Sequence, residues 1–161
     1  MLRTQKMLNI SITDGTIEDI FRQVPVLLNR DQFNIITTLN PQMYEICTEA
    51  AHLQSFMKKS DIITADGVGV SWAVKVMTKR SIKRITGINL VEELFKKQYY
   101  SVYLIGGTPF TMASLKEKIK IHYPNLVIKG AHHGFYEASD EETMLNDIQL
   151  TRPDFILIGM G

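Results

Sequence analysis

Several short runs along this chain, among them DIITA (61–65), SVYLIG (101–106) and DFILIGM (154–160), are apolar without alternation. A strand with one wet face alternates apolar and polar side chains, whereas one that is apolar throughout is covered on both sides. That condition is met in a parallel sheet with helices above and below it. MLNISI (7–12), FNIITT (33–38) and LVIKGA (126–131) read as further strands. The segments between them have helical character. Residues 13–16 supply turn and capping chemistry for a helix running to about Leu28, with Pro25 able to kink or shorten it. Pro41 suits a first helical position and opens a periodic stretch to Lys59. Further helices are expected over 68–78, 89–98, 109–122 and 139–150. The alternation predicts the α/β class: a Rossmann-like, mostly parallel sheet of about six strands flanked by helices on both faces.

Composition narrows the class further. At 161 residues the chain fits a single domain, 1–161, able to bury roughly 70% of the surface of its unfolded form. The lone Cys47 excludes an internal disulfide framework and no signal peptide opens the sequence, which points to a reducing, cytoplasmic setting. Eighteen basic against seventeen acidic residues, without a long basic block, argue against nucleic acid as a partner. No apolar run approaches the ~20 residues of a membrane span. Docking on a bilayer surface remains open, although with no basic amphipathic helix evident, weak binding to liposomes is expected.

In open parallel sheets, ligands bind beyond the carboxyl ends of the strands. Here those positions are polar or glycine: Thr37, Thr38 and Asn40; Asp66, Gly67 and Gly69; Gly106, Gly107 and Thr108; His132, His133 and Gly134; Gly159 and Gly161. Each has a plain structural alternative. Thr38 and Asn40 can cap the helix at Pro41, and Asp66 can cap the helix that follows it. Gly106 and Gly107 can serve a tight turn, which also exposes backbone N–H groups suited to a diphosphate. His132 and His133, being adjacent, are expected to point apart, so a shared metal is disfavoured. GVGVSW lacks the third glycine of a dinucleotide fingerprint, no GxxxxGK[ST] loop is present, and Cys47 has no evident base.

Taken together, TTLNP (37–41), ADGVGV (65–70), KRITGINL (83–90), LIGGTP (104–109), HHGFY (132–136) and RPDFILIGMG (152–161) resemble, in order and spacing, the WecG/TagA/CpsF family of bacterial glycosyltransferases. The resemblance covers nearly the whole chain. It implies an inverting transfer of N-acetylmannosamine from its UDP donor to a GlcNAc diphosphate on a polyprenyl lipid, as in wall teichoic acid synthesis or that of a related cell-surface polymer. It also implies no metal or other cofactor, and a peripheral location at the inner face of the cell membrane. Carried over by motif, Thr38, Asn40, Asp66 and Arg84 would line the sugar pocket, and Gly106 and Gly107 would face the nucleotide. Asn89 stands where the family has Asp in its RxTGxDL pattern, and no catalytic role is assigned to it.

The residue types suit that chemistry. A single displacement at an anomeric carbon needs a base for the acceptor hydroxyl and a means of holding the departing diphosphate. Asp66 can be the base. Gly67 and Gly69 let backbone approach the donor, and Arg84 can pair with a diphosphate or orient the sugar, unless it is only a solvated charge in KRSIKR. The family continues past GMG with a PxQE element and a C-terminal segment thought to close the site and touch the membrane. A chain stopping at Gly161 is therefore expected to fold as the catalytic core yet transfer sugar poorly. The rival readings are a nucleotide-sugar-binding module that performs no transfer and a dehydrogenase-like NAD binder. An apolar helix such as LVEELF can serve a homodimer as readily as a core.

Overall fold

A computed structural model describes residues 2–30 and 32–160; Gly161, one of the strand-end glycines, lies outside the described residues. The chain divides into two compact units, Met1–Val91 and Glu92–Gly161.

The first unit begins with a hairpin, β1 (Arg3–Met7) against β2 (Ile10–Asp14), closed by Leu8 and Asn9. Leu8 takes a φ of 52°. That left-handed conformation is rare for a leucine. The expected strand 7–12 is thus two strands and a turn. Thr16 then caps α1 (Ile17–Leu28) in a reciprocal box: its hydroxyl accepts from the Asp19 amide at 3.1 Å while the Asp19 carboxylate accepts from the Thr16 amide at 2.9 Å. Pro25 remains inside this helix.

The parallel pairing expected of the apolar runs is present. β3 (Ile36–Leu39) pairs with β4 (Ile62–Ala65) in parallel register, Leu39 opposite Ala65. The connection between them is two helices, α2 (Pro41–Glu49) and α3 (Ala51–Lys59), where one was expected. Ala50 breaks the run with φ −112° and ψ 106°. α4 (Val68–Thr78) follows β4 and ends at Lys79 in the left-handed region, and α5 (Gly87–Lys97) crosses the boundary between the units. Met7, Ile12, Leu39, Ile63, Val70 and Val74 belong to one buried cluster, while Ile20, Leu27, Ile62 and Ile85 form another.

The second unit is a three-stranded parallel sheet in the order β6 (Val127–His132), β5 (Ser101–Gly106), β7 (Phe155–Gly159). Its helices are α6 (Pro109–His122) and α7 (Ala138–Thr151). Every residue of central β5 is buried, as its unbroken apolar run requires. At its amino end Asp154 accepts from both the amide and the hydroxyl of Ser101, each at 2.7 Å, which fixes the start of β7 beside the start of β5. In mid-strand, buried Tyr103 donates its hydroxyl to Asp147 of α7 at 2.8 Å. Gly130 of β6 lies beneath that ring, where a Cβ would fall 2.3 Å from Tyr103 Cε2. The α/β class with parallel strands holds, its hydrogen-bonded strands grouped as a hairpin, a pair and a trio.

Candidate active site

In the first unit the chemistry-bearing residues gather where β3 and β4 end and α5 begins. Leu39 accepts from the Asp66 amide at 2.8 Å, and Ala65 accepts from the Ile85 amide at 2.9 Å. Arg84 forms a parallel bridge with Ala65, and the buried Thr64 hydroxyl donates to the Ile85 carbonyl at 3.0 Å. The segment carrying Arg84 therefore lies beside β4, joined to it by a single bridge. Four sequence motifs, TTLN, ADG, KRIT and GINL, meet at one edge.

Asp66 is half-buried there. Its Oδ2 accepts a long hydrogen bond, 3.3 Å, from the amide of Gly87 at the start of α5. Its Oδ1 has no partner among the described residues. The helix after Asp66 is not capped by it: Gly67 is the N-cap of α4, with φ 92° and no side-chain cap. Thr86 caps α5, its hydroxyl accepting from the Asn89 amide at 3.2 Å and meeting Asn89 Oδ1 at 2.6 Å. Asn89 thus acts in a local cap. Asp66 adds only the contact to Gly87, which anchors one oxygen and leaves the other open.

Thr38 is half-buried with its side chain against Gly87, where a Cβ would come within 3.3 Å of Thr38 Oγ1. The sequence reading did not single out Gly87; its signal was a glycine directly after a capping threonine. Asn40 is the N-cap of α2, accepting from the Met43 amide at 2.7 Å. Its oxygen is committed to the helix while its NH2 group can still donate. A Cβ on Gly69 would fall 2.8 Å from Pro41 Cγ, so that glycine lets the first turn of α4 lie against the first residue of α2. The Arg84 side chain is exposed and forms no ion pair among the described residues. A polar cleft lined by Asn9, Ser11, Lys58 and Ser60 lies toward the amino end of β4, away from Asp66. Cys47 is buried, which pushes its thiol pKa up and keeps it unreactive.

In the second unit, glycines crowd the carboxyl ends of the strands. Gly106 has φ 141°, and a Cβ there would sit 2.0 Å from the Gly159 carbonyl oxygen; Gly107, at φ 61°, accepts from the Gly134 amide at 2.8 Å. Only a chain without side chains can be laid so closely. Thr108 caps α6 by accepting from the Thr111 amide at 3.1 Å, and Pro109 at the first position has no N–H. Phe110 therefore supplies the remaining amide of that first turn. His132 and His133 do not point apart as expected. Their rings lie 4.7 Å apart at 43°, because His132 Nδ1 donates back to the His133 carbonyl at 2.8 Å and draws its ring over its neighbour. His133 Nδ1 is buried without a hydrogen-bond partner. Among the described residues no three His, Cys, Asp or Glu side chains cluster as a metal site.

Comparison with known proteins places these observations in a family. The sequence profile of the Glycosyl transferase WecG/TagA/CpsF family matches residues 5–161. Curated relatives include proteins of Staphylococcus aureus strains NCTC 8325 / PS 47 and N315, each named N-acetylglucosaminyldiphosphoundecaprenol N-acetyl-beta-D-mannosaminyltransferase. Each is 32% identical over 129 residues, covering 78% of this chain and 50% of the relative. A protein of strain MRSA252 with the same name matches to the same extent. The chain thus spans about half the length of the curated relatives it matches. The chain belongs to the WecG/TagA/CpsF family of glycosyltransferases.

Proposed function

We propose that this chain carries the catalytic core of an inverting hexosaminyl transfer, from UDP-N-acetylmannosamine to a GlcNAc diphosphate on a polyprenyl carrier, in the building of a cell-surface polymer. The observation that carries the reading is the setting of Asp66. It stands at a strand end between Ala65 and Gly67, with one oxygen anchored on the Gly87 amide and the other open. A general base must be held in place by one interaction and keep a lone pair for the incoming proton. In the proposed step the acceptor hydroxyl attacks the anomeric carbon as its proton passes to Asp66, and the bond to UDP breaks with its electron pair leaving on the diphosphate.

The other residues take roles that suit their geometry. Thr38 and the Asn40 NH2 group bind sugar hydroxyl or N-acetyl groups. Gly67, with its positive φ, keeps that edge free of a side chain, and Gly69 allows the packing of α4 on Pro41 that holds Gly67 there. Arg84 supplies an exposed cation for the diphosphate or sugar. The Gly106 and Gly107 turn offers backbone amides to the nucleotide's phosphates. Among the described residues no helix is long and apolar enough to cross a membrane. A lipid-borne acceptor nevertheless brings the protein to the inner face of the cell membrane.

Thermal melts with UDP, UDP-N-acetylmannosamine and NAD test the reading. A ligand at a hundred times its Kd stabilises by ~2.7 kcal/mol, so the two uridine compounds should raise the Tm and NAD should not. Stabilisation by NAD alone would contradict it. Binding of UDP-N-acetylmannosamine without transfer to a lipid diphosphate acceptor, even by a chain extended with the family's C-terminal segment, would reduce the protein to a nucleotide-sugar-binding module.

A further inference from the structure

Helix α4 is apolar on two opposite sides, and only one is used by the core. Val70 and Val74 are buried, whereas Val68, Trp72 and Val76 are 67%, 65% and 58% exposed. At 3.6 residues per turn these three fall within an arc of about 80°, diametrically opposite the buried pair. Lys75 borders that arc, and Lys79 and Arg80 follow the end of the helix; all three are exposed and form no ion pair among the described residues. Residues 68–84 hold five basic and no acidic side chains, while the rest of the chain has thirteen basic against seventeen acidic. A chain of almost balanced charge thus concentrates its positive charge around one exposed apolar stripe. Lys83, of the same segment, lies within electrostatic reach of the Glu18 and Asp19 carboxylates.

We infer that this face of α4 docks on an anionic phospholipid surface, Val68, Trp72 and Val76 entering the headgroup boundary while Lys75, Lys79 and Arg80 meet lipid phosphates. Trp suits such a boundary because its ring is apolar and its N–H can reach water or phosphate. Flanking lysines keep their ammonium groups at the phosphates while their stems lie along the apolar stripe. Charge complementarity favours a lipid surface over a second copy, since two such faces would bring like charges together. The inference rests on the proposed function for its purpose. Val68 opens the helix two residues after Asp66, so docking α4 carries the candidate base to the surface where a lipid-linked acceptor resides. It runs against the expectation of weak liposome binding, and vesicle measurements decide between the two. The helix over 68–78 was expected, but its exposed apolar face was not, because apolar residues on both sides give no single polar face to recognise.

Trp72 is the only tryptophan of the chain and reports directly on the face. Mixed phosphatidylcholine and phosphatidylglycerol vesicles should shift its emission to shorter wavelength, brominated lipid should quench it, and added salt should reverse both effects. Vesicles of phosphatidylcholine alone should bind far less. Combining Lys75→Glu, Lys79→Asn and Arg80→Glu should weaken vesicle binding roughly tenfold or more, with an unchanged melt and unchanged UDP affinity. Asn is chosen at 79 because it tolerates the left-handed backbone there. No shift with anionic vesicles at low salt would overturn the inference, as would a charge variant that binds like its parent. A concentration-dependent shift without lipid, accompanied by self-association, would overturn it too and assign the face to a second copy. Vesicle binding is read without donor or acceptor, so its failure is distinct from failure of the transfer reading.

Discussion

Several residues in this protein hold structural and proposed chemical duties at once, and the two can be separated by the atoms each uses. Asn40 caps α2 through its Oδ1, leaving the NH2 group for a sugar. Asn40→Asp keeps the capping oxygen and removes the donor. It should therefore unfold within about 0.5 kcal/mol of the parent, since Asn and Asp are comparable N-caps. UDP-N-acetylmannosamine should bind it several-fold more weakly while UDP binds it as before, both read by calorimetry. Equal affinity for the sugar nucleotide would confine Asn40 to capping. Asp66 divides in the same way, with Oδ2 on Gly87 and Oδ1 open. Gly106 does not divide, because the Gly159 carbonyl would lie 2.0 Å from any Cβ placed on it. Its glycine is required by the sheet whether or not a nucleotide binds. These distinctions were only partly legible in the sequence. Thr38, Asn40 and Asp66 stood out as polar groups at strand ends, but which oxygen serves which duty depends on Gly87, far along the chain and brought in by the bridge between Ala65 and Arg84.

Elements bounded by strong punctuation fell where the sequence put them. Pro109 at the first turn and the capping Thr108 set the start of α6, and the paired glycines after SVYLIG set the end of β5. Elements without punctuation did not. Ala50 breaks 41–59 into α2 and α3, and Leu8 forms a hairpin turn, although neither residue type favours such a conformation; tertiary packing overrides local preference at both. The Tyr103 contact between β5 and α7 gives an element-scale test. Burial, and then the hydrogen bond to Asp147, push the Tyr103 pKa up to about 12 from its ordinary value of 10.0. The folded state therefore holds that proton more tightly than the unfolded chain. The stability this contributes is complete below pH 10 and is lost as pH rises toward 12. Tyr103→Phe should cost about 1 kcal/mol at neutral pH through loss of the hydrogen bond, and should flatten the alkaline limb of a urea-denaturation series. An unchanged alkaline limb would assign that limb to other groups.

At the scale of the whole molecule, the alternation of apolar runs and helices was enough to reach the α/β class, and the strand-end motifs were enough to reach the family. The grouping of strands into a hairpin, a pair and a trio was not legible, because pairing is decided by contacts between segments distant in sequence. Neither was the unused face of α4, which in sequence reads as core. The central claim is that Asp66 is the base of a glycosyl transfer and not merely a support for α5. The direct measurement is turnover of Asp66→Asn with UDP-N-acetylmannosamine and a lipid-linked GlcNAc diphosphate, made in a chain that carries the family's C-terminal segment, alongside its UDP affinity. Asparagine keeps the oxygen that accepts from Gly87 and removes the basicity. We predict that transfer falls by about 10² to 10⁴, or ~3 to 5 kcal/mol in the barrier, while the melt and UDP affinity stay close to those of the parent. Near-normal turnover by Asp66→Asn would contradict the claim and leave Asp66 as a helix support.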